Sequence, residues 1–328
     1  MSSVSDIEID KETNDMIVSK GLPTSTGFTS TQDNIGEVES DGVEIDVDMN
    51  MFKILPLSVD GLSWNSRINF TKSESIVTKQ EDEQILFGGG VDIGNVAIEG
   101  FPLGTIVGGR IERNDDGEYI VNAAGDYNSE FTIAIDDNGN EVPLGTEGSR
   151  QVNAILGNPE PDFVMNYINS INYKNFTLGF HFQHVSGGDM YSSTIGVLLG
   201  RGNVRSDRRE TFVLEGVNAD GSPNTIMINN SQYYFTNILN GPAELSVFDA
   251  SVIRLQEVSF AYTFPQEFLD KTPFGELSLT FAGYNLWHDA YNTPEEVNFD
   301  PNVAGAGIGN ARGIDYMNGP STKRYGVS

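Results

Sequence analysis

Residues 43–51 read VEIDVDMNM and alternate between apolar and polar side chains without a break. In an extended strand successive side chains point to opposite faces, whereas an amphipathic helix needs an apolar period near 3.6 residues. One face of this strand would carry Val43, Ile45, Val47, Met49 and Met51. The opposite face would carry Glu44, Asp46, Asp48 and Asn50. The stretch therefore predicts a β-strand that separates an apolar surface from an acidic one.

The same two-residue period recurs along the chain. Residues 62–71 (LSWNSRINFT), 163–173 (FVMNYINSINY) and 176–185 (FTLGFHFQHV) all follow it. Only Lys174 and Asn175 separate the last two runs, which is the length of a tight β-hairpin turn. Further candidate strands are 3–10, 15–20, 106–113, 118–122, 251–264, 276–286 and 321–328. Two windows are ambiguous between strand and helix: 189–199 and 231–239.

The connections between these runs differ greatly in length. Residues 11–14 and 174–175 predict short turns. Much longer polar connections are expected at 76–105, 187–250 and 289–319. Several runs reach about ten residues, which is the length a tilted strand needs to cross a bilayer. Short turns at one rim and long loops at the other are typical of an outer-membrane β-barrel, although the pattern alone fits a soluble β-sandwich or solenoid equally well.

Composition excludes several classes of function. The 328 residues include 47 acidic and 19 basic side chains, for a formal net charge of -28, and no cysteine. Non-specific binding to nucleic acid needs clustered positive charge, so no nucleic-acid partner is expected. The absence of cysteine removes disulfides, thiolate metal sites and cysteine nucleophiles. The densest apolar stretches, 52–59 and 195–199, are far shorter than the roughly 18 residues of a membrane helix.

Motifs for covalent chemistry are not found. His181 and His184 would point to opposite faces of one strand and cannot share a metal, and His288 is distant in sequence. No G-x-S-x-G elbow occurs. The glycine cluster at 305–310 (GAGIGN) lacks the spacing and the strand-to-helix context of a dinucleotide loop, so a flexible loop is expected there. The chain is therefore predicted not to be an enzyme.

Two groups of charged residues could instead bind ions. Residues 115–117 and 136–141 carry oxygen ligands of the kind calcium prefers, but they lack the spacing of an EF-hand, and turn chemistry explains them more simply. No cofactor is therefore predicted, with calcium in these loops left open. A basic cluster comprises Arg201, Arg205, Arg208 and Arg209. Because Asp207 and Glu210 interrupt it, a solvated or internally paired loop is expected rather than an anion site.

A series of motifs resembles one known family. The series begins with Leu22-Pro23-Thr24-Ser25-Thr26-Gly27, Asn34-Ile35-Gly36-Glu37 and Gly42-Val43-Glu44-Ile45. It continues with Trp64 and Ile68-Asn69-Phe70, Glu99-Gly100-Phe101-Pro102-Leu103-Gly104, Gly157-Asn158-Pro159-Glu160-Pro161-Asp162 and Asp249-Ala250-Ser251-Val252-Ile253-Arg254-Leu255. It ends with Gly283-Tyr284-Asn285-Leu286-Trp287, Asp300-Pro301 and Thr322-Lys323-Arg324-Tyr325-Gly326-Val327. In this order the motifs are similar to those of SusC/RagA-type TonB-dependent outer-membrane transporters.

The resemblance implies a fold and its extent. Members of the family have an N-terminal plug inside a 22-stranded antiparallel β-barrel with long extracellular loops. Residues 1–328 resemble only the C-terminal part of that barrel, about half of its strands. The plug domain and the N-terminal strands are expected to be absent and the final strand truncated, so residues 1–328 expressed alone are expected not to form a monomeric pore.

The resemblance also implies a function. The expected role is TonB-dependent uptake of oligosaccharides or peptides across the outer membrane of a Bacteroidetes-like bacterium. The expected partners are a SusD-like surface lipoprotein, the TonB complex through the missing N-terminal region, and outer-membrane lipid. Trp287 and Tyr291 could stack on sugar rings, although aromatic residues at a membrane interface are the commoner explanation. The alternative is a soluble secreted glycan-binding or adhesive β-sandwich.

Overall fold

A computed structural model describes residues 3–21, 24–28, 30–55, 59–80, 84–89, 92–204, 207–294, 297–303 and 312–328. Its largest element is an antiparallel sheet of eight strands, in which each strand pairs with the next one along the chain. The strands are β1 (Ser3–Gly21), β2 (Ser30–Asn50), β3 (Leu62–Gln80), β4 (Phe163–Tyr173), β5 (Phe176–Ser186), β6 (Val252–Thr263), β7 (Ser278–Asp289) and β8 (Arg324–Val327). The sheet is not closed, since β1 and β8 form its two edges in the described part of the chain.

The connections of this sheet divide by length between its two ends. Neighbouring strands run in opposite directions, so alternate connections lie at the same end. At one end lie the described residues of the connections 51–61, 174–175 and 264–277. At the other end lie the described residues of 22–29 and of three long connections, 81–162, 187–251 and 290–323. The predicted division into a short-turn end and a long-connection end is confirmed.

The long connections carry structure of their own, and we call their described residues the cap. One cap sheet has the strands Ile85–Gly89, Ile93–Ala97, Thr105–Gly108 and Ile155–Gly157. A second has Thr132–Ile135, Glu141–Val142 and Arg150–Asn153, and a third has Asp189–Ser192, Val247–Asp249 and Ile314–Asp315. Two strand pairs complete the cap: Arg110–Ile111 with Ser129–Glu130, and Thr211–Val213 with Met227–Asn229.

Helices are short. The α-helices are α1 (Met51–Ile54), α2 (Ser193–Gly200), α3 (Asn230–Gln232) and α4 (Gln266–Leu269). A π-helix spans Tyr233–Leu239, and 3-10 turns span Thr24–Thr26, Ala243–Ser246 and Pro301–Val303. The two windows that were ambiguous in the sequence thus contain α2 and the π-helix. In the described ranges no helix is both long enough and apolar enough to cross a membrane.

Most fully buried apolar side chains lie in the cap rather than on the large sheet. One cluster, which joins two of the cap sheets, comprises Val96, Ile98, Val107, Ile133, Ile135, Val152 and Ala154. A second cluster contains Ile93 and Ile106 from the first long connection and Ile314 from the third, with Tyr191 and Ala243 from the second packed against them. All three long connections therefore share one apolar core, which holds the cap together.

The turn predicted at residues 11–14 is wrong. Residues 3–21 form one strand, and Lys11, Glu12 and Thr13 pair with residues 40–38 of β2. The register shifts between Thr13 and Met16, where Asp15 has φ of 56°. The chain therefore has a β-bulge where a turn was predicted, and the pairing of β1 with β2 continues beyond the bulge.

Two other predicted strands do not join the large sheet. Residues 106–113 are divided between Thr105–Gly108 and Arg110–Ile111, and the two pieces pair with different partners on either side of Gly109. Residues 118–122 make only isolated bridges at Tyr119, Ile120 and Val121. Tight turns at 114–118 and 122–126 flank these three residues, which leaves no length for a ladder. Eight strands, rather than eleven, therefore reach the sheet.

The core of the cap gives the first testable prediction. Ile135 is 1% exposed and Leu144, also in the cap, is 57% exposed. Ile135→Ala should destabilise the cap by about 3 kcal/mol, because it removes buried methyl groups and leaves a cavity. Leu144→Ala is the matched control and should change stability by less than about 0.5 kcal/mol. Limited proteolysis in increasing urea measures the difference, and equal midpoints for the two variants would contradict this core.

Candidate functional site

Two neighbouring rows of side chains cross six strands of the sheet, β2 to β7. The apolar row comprises Val47, Ile68, Tyr167, Phe182, Leu255 and Trp287, each paired with the next across the strands. The polar row comprises Asp46, Asn69, Asn166, Gln183, Arg254 and His288, paired in the same way. Each strand contributes adjacent residues to the two rows, so the rows lie on opposite faces. The predicted alternation is thus continued from strand to strand by the register.

The face that carries the polar row is a network of hydrogen bonds. Arg67 Nε donates to Asp46 Oδ1 at 2.7 Å, and a second guanidinium nitrogen of Arg67 contacts the same carboxylate. Asn166 Oδ1 is 2.9 Å from His181 Nε2 and accepts from Gln183 Nε2 at 3.4 Å. Gln183 Oε1 in turn accepts from Gln256 Nε2 at 2.8 Å. Such a surface offers donors and acceptors to hydroxyl or peptide groups, but no group activated for covalent chemistry.

A bulge in β6 enlarges this polar face. The pairing of β6 with β5 shifts where His181 opposes Glu257 and Phe182 opposes Leu255, so Gln256 is the extra residue. The Gln256 side chain bonds Gln183, and Glu257 pairs with His181, so both residues belong to the polar face. The bulge restores the alternation beyond it, with Arg254 on the polar face and Leu255 on the apolar one.

The apolar face is largely exposed. Exposed side chains on it include Phe176, Leu178, Phe260, Leu279 and Phe281. Phe176 stacks on Phe260 with ring centroids 5.7 Å apart, and it also contacts Tyr262 at 4.9 Å. In the described part of the chain the other sheets have their own partners in the cap, and none covers this face. An uncovered aromatic surface of this extent marks an interface with another apolar medium or partner.

Two polar side chains on the apolar face are buried and bonded to each other, although Asn169 Nδ2 has no hydrogen-bond partner among the described residues. Ser66 and Asn169 are each 2% exposed. Trp64 Nε1 donates to Asn169 Oδ1 at 2.9 Å, and the hydroxyl of Ser66 donates to the same oxygen. This small group therefore presents little polar surface to the outside.

The long-connection end of the polar face holds a buried ion pair. Arg254 Nη2 is 2.8 Å from Asp300 Oδ1, and the two side chains are 2% and 3% exposed. Burial tends to raise the pKa of Asp300, but the Arg254 guanidinium, the Ser321 hydroxyl and the backbone N–H of Asn302 together lower it below its ordinary value. Asp300 is therefore an anion near neutral pH, and the pair joins the third long connection to β6.

The two aromatic candidates lie together at this end of the sheet. Trp287, His288, Asp289, Tyr291 and Asn298 are among the residues that line an open cleft of about 480 Å³. Trp287 is 47% exposed and belongs to the apolar row. Tyr291 is 44% exposed, and its hydroxyl is 3.0 Å from His184 Nε2. The structure therefore places both side chains at one cleft, with Trp287 on the apolar face rather than the polar one.

The three histidines have separate surroundings. His181 bonds Asn166, His184 bonds Tyr291, and His288 Nε2 donates to the carbonyl oxygen of Asn298 at 3.1 Å. Within the described ranges, no group of three His, Asp or Glu side chains is placed to hold a metal ion.

The basic cluster is tied down locally. The Arg208 guanidinium lies 5.2 Å from the Tyr234 ring centre and donates to the carbonyl oxygen of Leu199 at the end of α2. Arg201 lies 5.9 Å from the Phe235 ring centre. Arg205 and the glycine cluster at 305–310 lie outside the described residues. Arg201 and Arg208 thus pack on aromatic rings, and Arg208 also bonds the end of a helix.

The two segments considered for calcium are tight turns of one kind. In residues 114–118, 122–126, 136–140 and 218–222, the N–H of the fourth residue, a glycine, donates to the carbonyl of the first. Each glycine has φ between 80° and 83°. In the third turn, Asp136 Oδ1 accepts the N–H groups of Asn138 at 2.9 Å and Asn140 at 2.8 Å. This carboxylate oxygen is thus engaged by the turn, and Asn114 and Asn122 take the same position in two other turns.

The structure adds one residue to this site that sequence reasoning missed. Asp300 stood out only as part of the Asp300-Pro301 motif, and its pairing with Arg254 spans 46 positions along the chain. A signal existed in Arg254, whose charge among apolar neighbours requires a partner if it is buried. The sequence could not identify which of the many acidic residues supplies it.

The fold class is an antiparallel β-sheet that forms an open segment of a barrel. Its strands follow one another in chain order, its connections are short at one end and long at the other, and each strand has one polar and one apolar face. No protein-family model matches the chain. The chain is 25% identical over 337 residues to TonB-dependent receptor P3 of Formosa agariphila. That alignment covers 96% of this chain and 30% of the receptor. The chain is also 25% identical over 324 residues to TonB-dependent receptor P26 of the same organism, covering 92% of this chain and 29% of that receptor.

Solved structures give the same picture of the fold. The structure of the RagAB peptide transporter matches 99% of this chain and 32% of its own, with a TM-score of 0.59 and 14% identity. The RagAB peptide importer in its closed-closed state matches with a TM-score of 0.56 and 15% identity. The chain thus spans about 30% of the length of the relatives it matches. These relatives are named receptors and transporters, not enzymes, and the resemblance to the SusC/RagA type is confirmed.

The pKa of Asp136 gives a pH-dependent prediction. The N–H of Asn140, with smaller contributions from the Asn140 amide and the N–H of Asn138, lowers the pKa of Asp136 below its ordinary value of 3.8. Because the folded-state pKa is lowered, the ionised Asp136 side chain stabilises the turn at pH values above its ordinary pKa of 3.8. This stabilisation is lost as the pH falls through the folded-state pKa. Hydrogen exchange in residues 136–140, corrected for intrinsic rates, should therefore lose protection at acidic pH. Asp136→Asn should keep the protection and remove its pH dependence, and an unchanged profile in that variant would contradict the assignment.

Proposed function

We propose that the chain forms the C-terminal part of the β-barrel of an outer-membrane, TonB-dependent transporter that imports oligosaccharides or peptides. The observation that carries the proposal is the pair of adjacent rows, one apolar and one polar, across β2 to β7. A barrel strand in a membrane needs one face for lipid and one for a water-filled interior. The exposed aromatic residues of the apolar face between its two ends, such as Phe260 and Phe281, would contact lipid, and the hydrogen-bonding face would line the interior.

The ends of the sheet support the same orientation. Outer-membrane barrels have short turns on the periplasmic side and long loops outside. In this orientation the cap would be extracellular, and residues 51–61, 174–175 and 264–277 would face the periplasm. An aromatic series at the short-turn end, Tyr262, Phe264 and Phe268, has successive ring centroids 5.1 and 5.4 Å apart and would lie at the headgroup level.

Substrate and partners are proposed from the relatives. The word peptide in the names of the RagAB structures supports peptides as one substrate class. The resemblance to the SusC/RagA type supports oligosaccharides as the other, and a SusD-like surface lipoprotein as the partner that covers the cap. TonB would engage a part of the transporter that this chain does not span. Affinity purification of the tagged full-length protein from outer membranes should recover such a lipoprotein in comparable amount, and its absence would contradict the partner.

The assignment of the two faces is tested by a matched pair of substitutions on β5. Leu178 lies on the apolar face and Thr177, its neighbour, on the polar face. Leu178→Arg in the full-length transporter should cost about 1–2 kcal/mol, less than at the bilayer midplane, because it places a charge in hydrocarbon close to the proposed headgroup level. Thr177→Arg should be tolerated, because its side chain would enter water. Heat-modifiable migration of membrane fractions on SDS gels reports folded barrel, and a greater loss for Thr177→Arg would reverse the assignment.

Trp287 and Tyr291 are proposed as contacts for a sugar ring at the cleft of about 480 Å³. Aromatic rings stack on the apolar faces of sugars, and both side chains are half-exposed there. Tyr291→Ala in the full-length transporter should then lower the uptake of a labelled oligosaccharide several-fold, with barrel folding unchanged. If uptake is unchanged while Trp287→Ala weakens folding in the membrane, the two residues are interface anchors instead.

A soluble β-sandwich is the alternative. It requires a second sheet against the apolar face, so that residues such as Leu178 and Phe281 become buried. These two side chains are 38% and 51% exposed, which favours the membrane proposal. Recovery of the full-length protein in a soluble secreted fraction, rather than in outer membranes, would favour the sandwich.

A further inference from the structure

A short segment of the third long connection folds back over the polar face. We define the fold-back segment as residues 297–303, which follow the end of β7 at Asp289. His288 Nε2 donates to the carbonyl oxygen of Asn298 at 3.1 Å, and Arg254 pairs with Asp300 at 2.8 Å. His288 and Arg254 are the last two members of the polar row. The chain therefore leaves the sheet at its long-connection end and returns against that face.

Burial along β6 shows what the segment covers. Val252 and Arg254 alternate onto the polar face near the start of β6, and they are 2% and 1% exposed. Gln256 and Glu257, further toward the short-turn end on the same face, are only partly buried. The polar face is thus covered at its long-connection end and more open toward its short-turn end.

Contacts on the other side fix the segment to the cap. Phe299 is 8% exposed and packs with Met190, Ile195 and Leu199 of the second long connection. Asp300 Oδ1 also accepts the backbone N–H of Asn302 at 3.0 Å. The segment therefore connects the apolar core of the cap to the polar face, and Asp300 is its charged contact with the sheet.

The Arg254–Asp300 pair is poorly explained as a stabilising contact alone. Two charges are withdrawn from water, and Arg254 Nε is buried with no hydrogen-bond partner among the described residues. Burying an ion pair costs desolvation that its attraction repays only with good geometry and full hydrogen bonding. A contact of this kind is better suited to holding one element in one position, because alternatives would leave an unpaired buried charge.

We propose that the fold-back segment, latched to Arg254 through Asp300, narrows the long-connection end of the polar face and limits the size of solute that reaches it. This inference rests on the proposed function, in which the polar face lines the transporter interior. Arg254 and Asp300 act as positioning residues, and neither needs to touch the transported molecule.

We call the Arg254–Asp300 contact the latch. The test measures how fast reagents reach the part of the polar face that lies between the latch and the short-turn end. The chain has no cysteine, so Glu257→Cys introduces a single thiol into this part of the full-length transporter. Intact cells are treated from outside with a small methanethiosulfonate or with a maleimide-linked polyethylene glycol. With the latch intact, the small reagent should label position 257 and the large reagent should label it slowly. Adding Asp300→Asn should raise the rate of the large reagent about tenfold and leave the small reagent little changed.

Two further variants separate the outcomes. Asp137→Asn removes the same charge from an exposed position of the cap and should change neither rate. Arg254→Lys keeps the buried charge but loses the two-pronged contact, in which Nη2 donates to Asp300 Oδ1 at 2.8 Å and Nη1 to Oδ2 at 3.4 Å. It should therefore give an intermediate rate, and it provides the test if Asp300→Asn fails to reach the membrane. Unchanged large-reagent rates in both latch variants would overturn the latch. Failure of the small reagent to label Glu257→Cys at all would contradict the proposed function, and the latch with it.

Discussion

The two-residue alternation of side chains along β2 to β7 is the constraint on which the rest of the structure depends. Because side chains in a strand point to alternate faces, a slip of one residue in any pairing would move a whole set of side chains to the wrong face. The paired residues preserve the alternation across six strands, from Val47 to Trp287 on one face and from Asp46 to His288 on the other. The bulge at Gln256 is compatible with it, since the extra residue adds a polar side chain to the polar face.

The same constraint explains why the chain stabilises its two parts differently. The cap buries apolar side chains in the usual way, with Ile98, Ile106 and Ile135 almost completely inaccessible. The large sheet leaves its aromatic face exposed and binds its polar side chains to one another across strands. A sheet of this kind gains little from burial of its own side chains, so it needs an apolar medium or a partner on one face. The cap, which has its own core, does not.

The sequence predicted those features of the fold that depend on local period. Strands β4 to β7 and the turn at Lys174 and Asn175 follow from alternation, although the predicted strand 276–286 ended before Trp287 and His288, which the structure adds to the two rows. The turn at 11–14 was wrong because a polar run at a bulge looks the same as a polar run at a turn. The strand at 118–122 was wrong because two flanking turns, set by Asn114 and Asn122, leave no room for it.

Features that depend on contacts distant in sequence could not be predicted. The long connections were expected as polar loops, yet they contain sheets, and side-chain packing brings positions as distant as Ile93 and Ile314 into one apolar cluster. The candidate site shows the same division. Polar side chains such as Asp46 and Asp48 were assigned to one face from period alone, whereas the partner of Arg254 emerged only when residue 300 was placed beside it.

Site-directed spin labelling along β4 in the full-length protein tests the central claim most directly. Nitroxides at residues 164–172 would be compared for collision with oxygen, which is concentrated in lipid, and with a water-soluble nickel chelate. The account predicts a two-residue period with opposite phases, oxygen access being highest at Met165, Tyr167 and Ile171 and nickel access highest at Asn166, Ser170 and Asn172. Two profiles in phase, or a profile without the period, would contradict the division of the sheet into a lipid face and a water face.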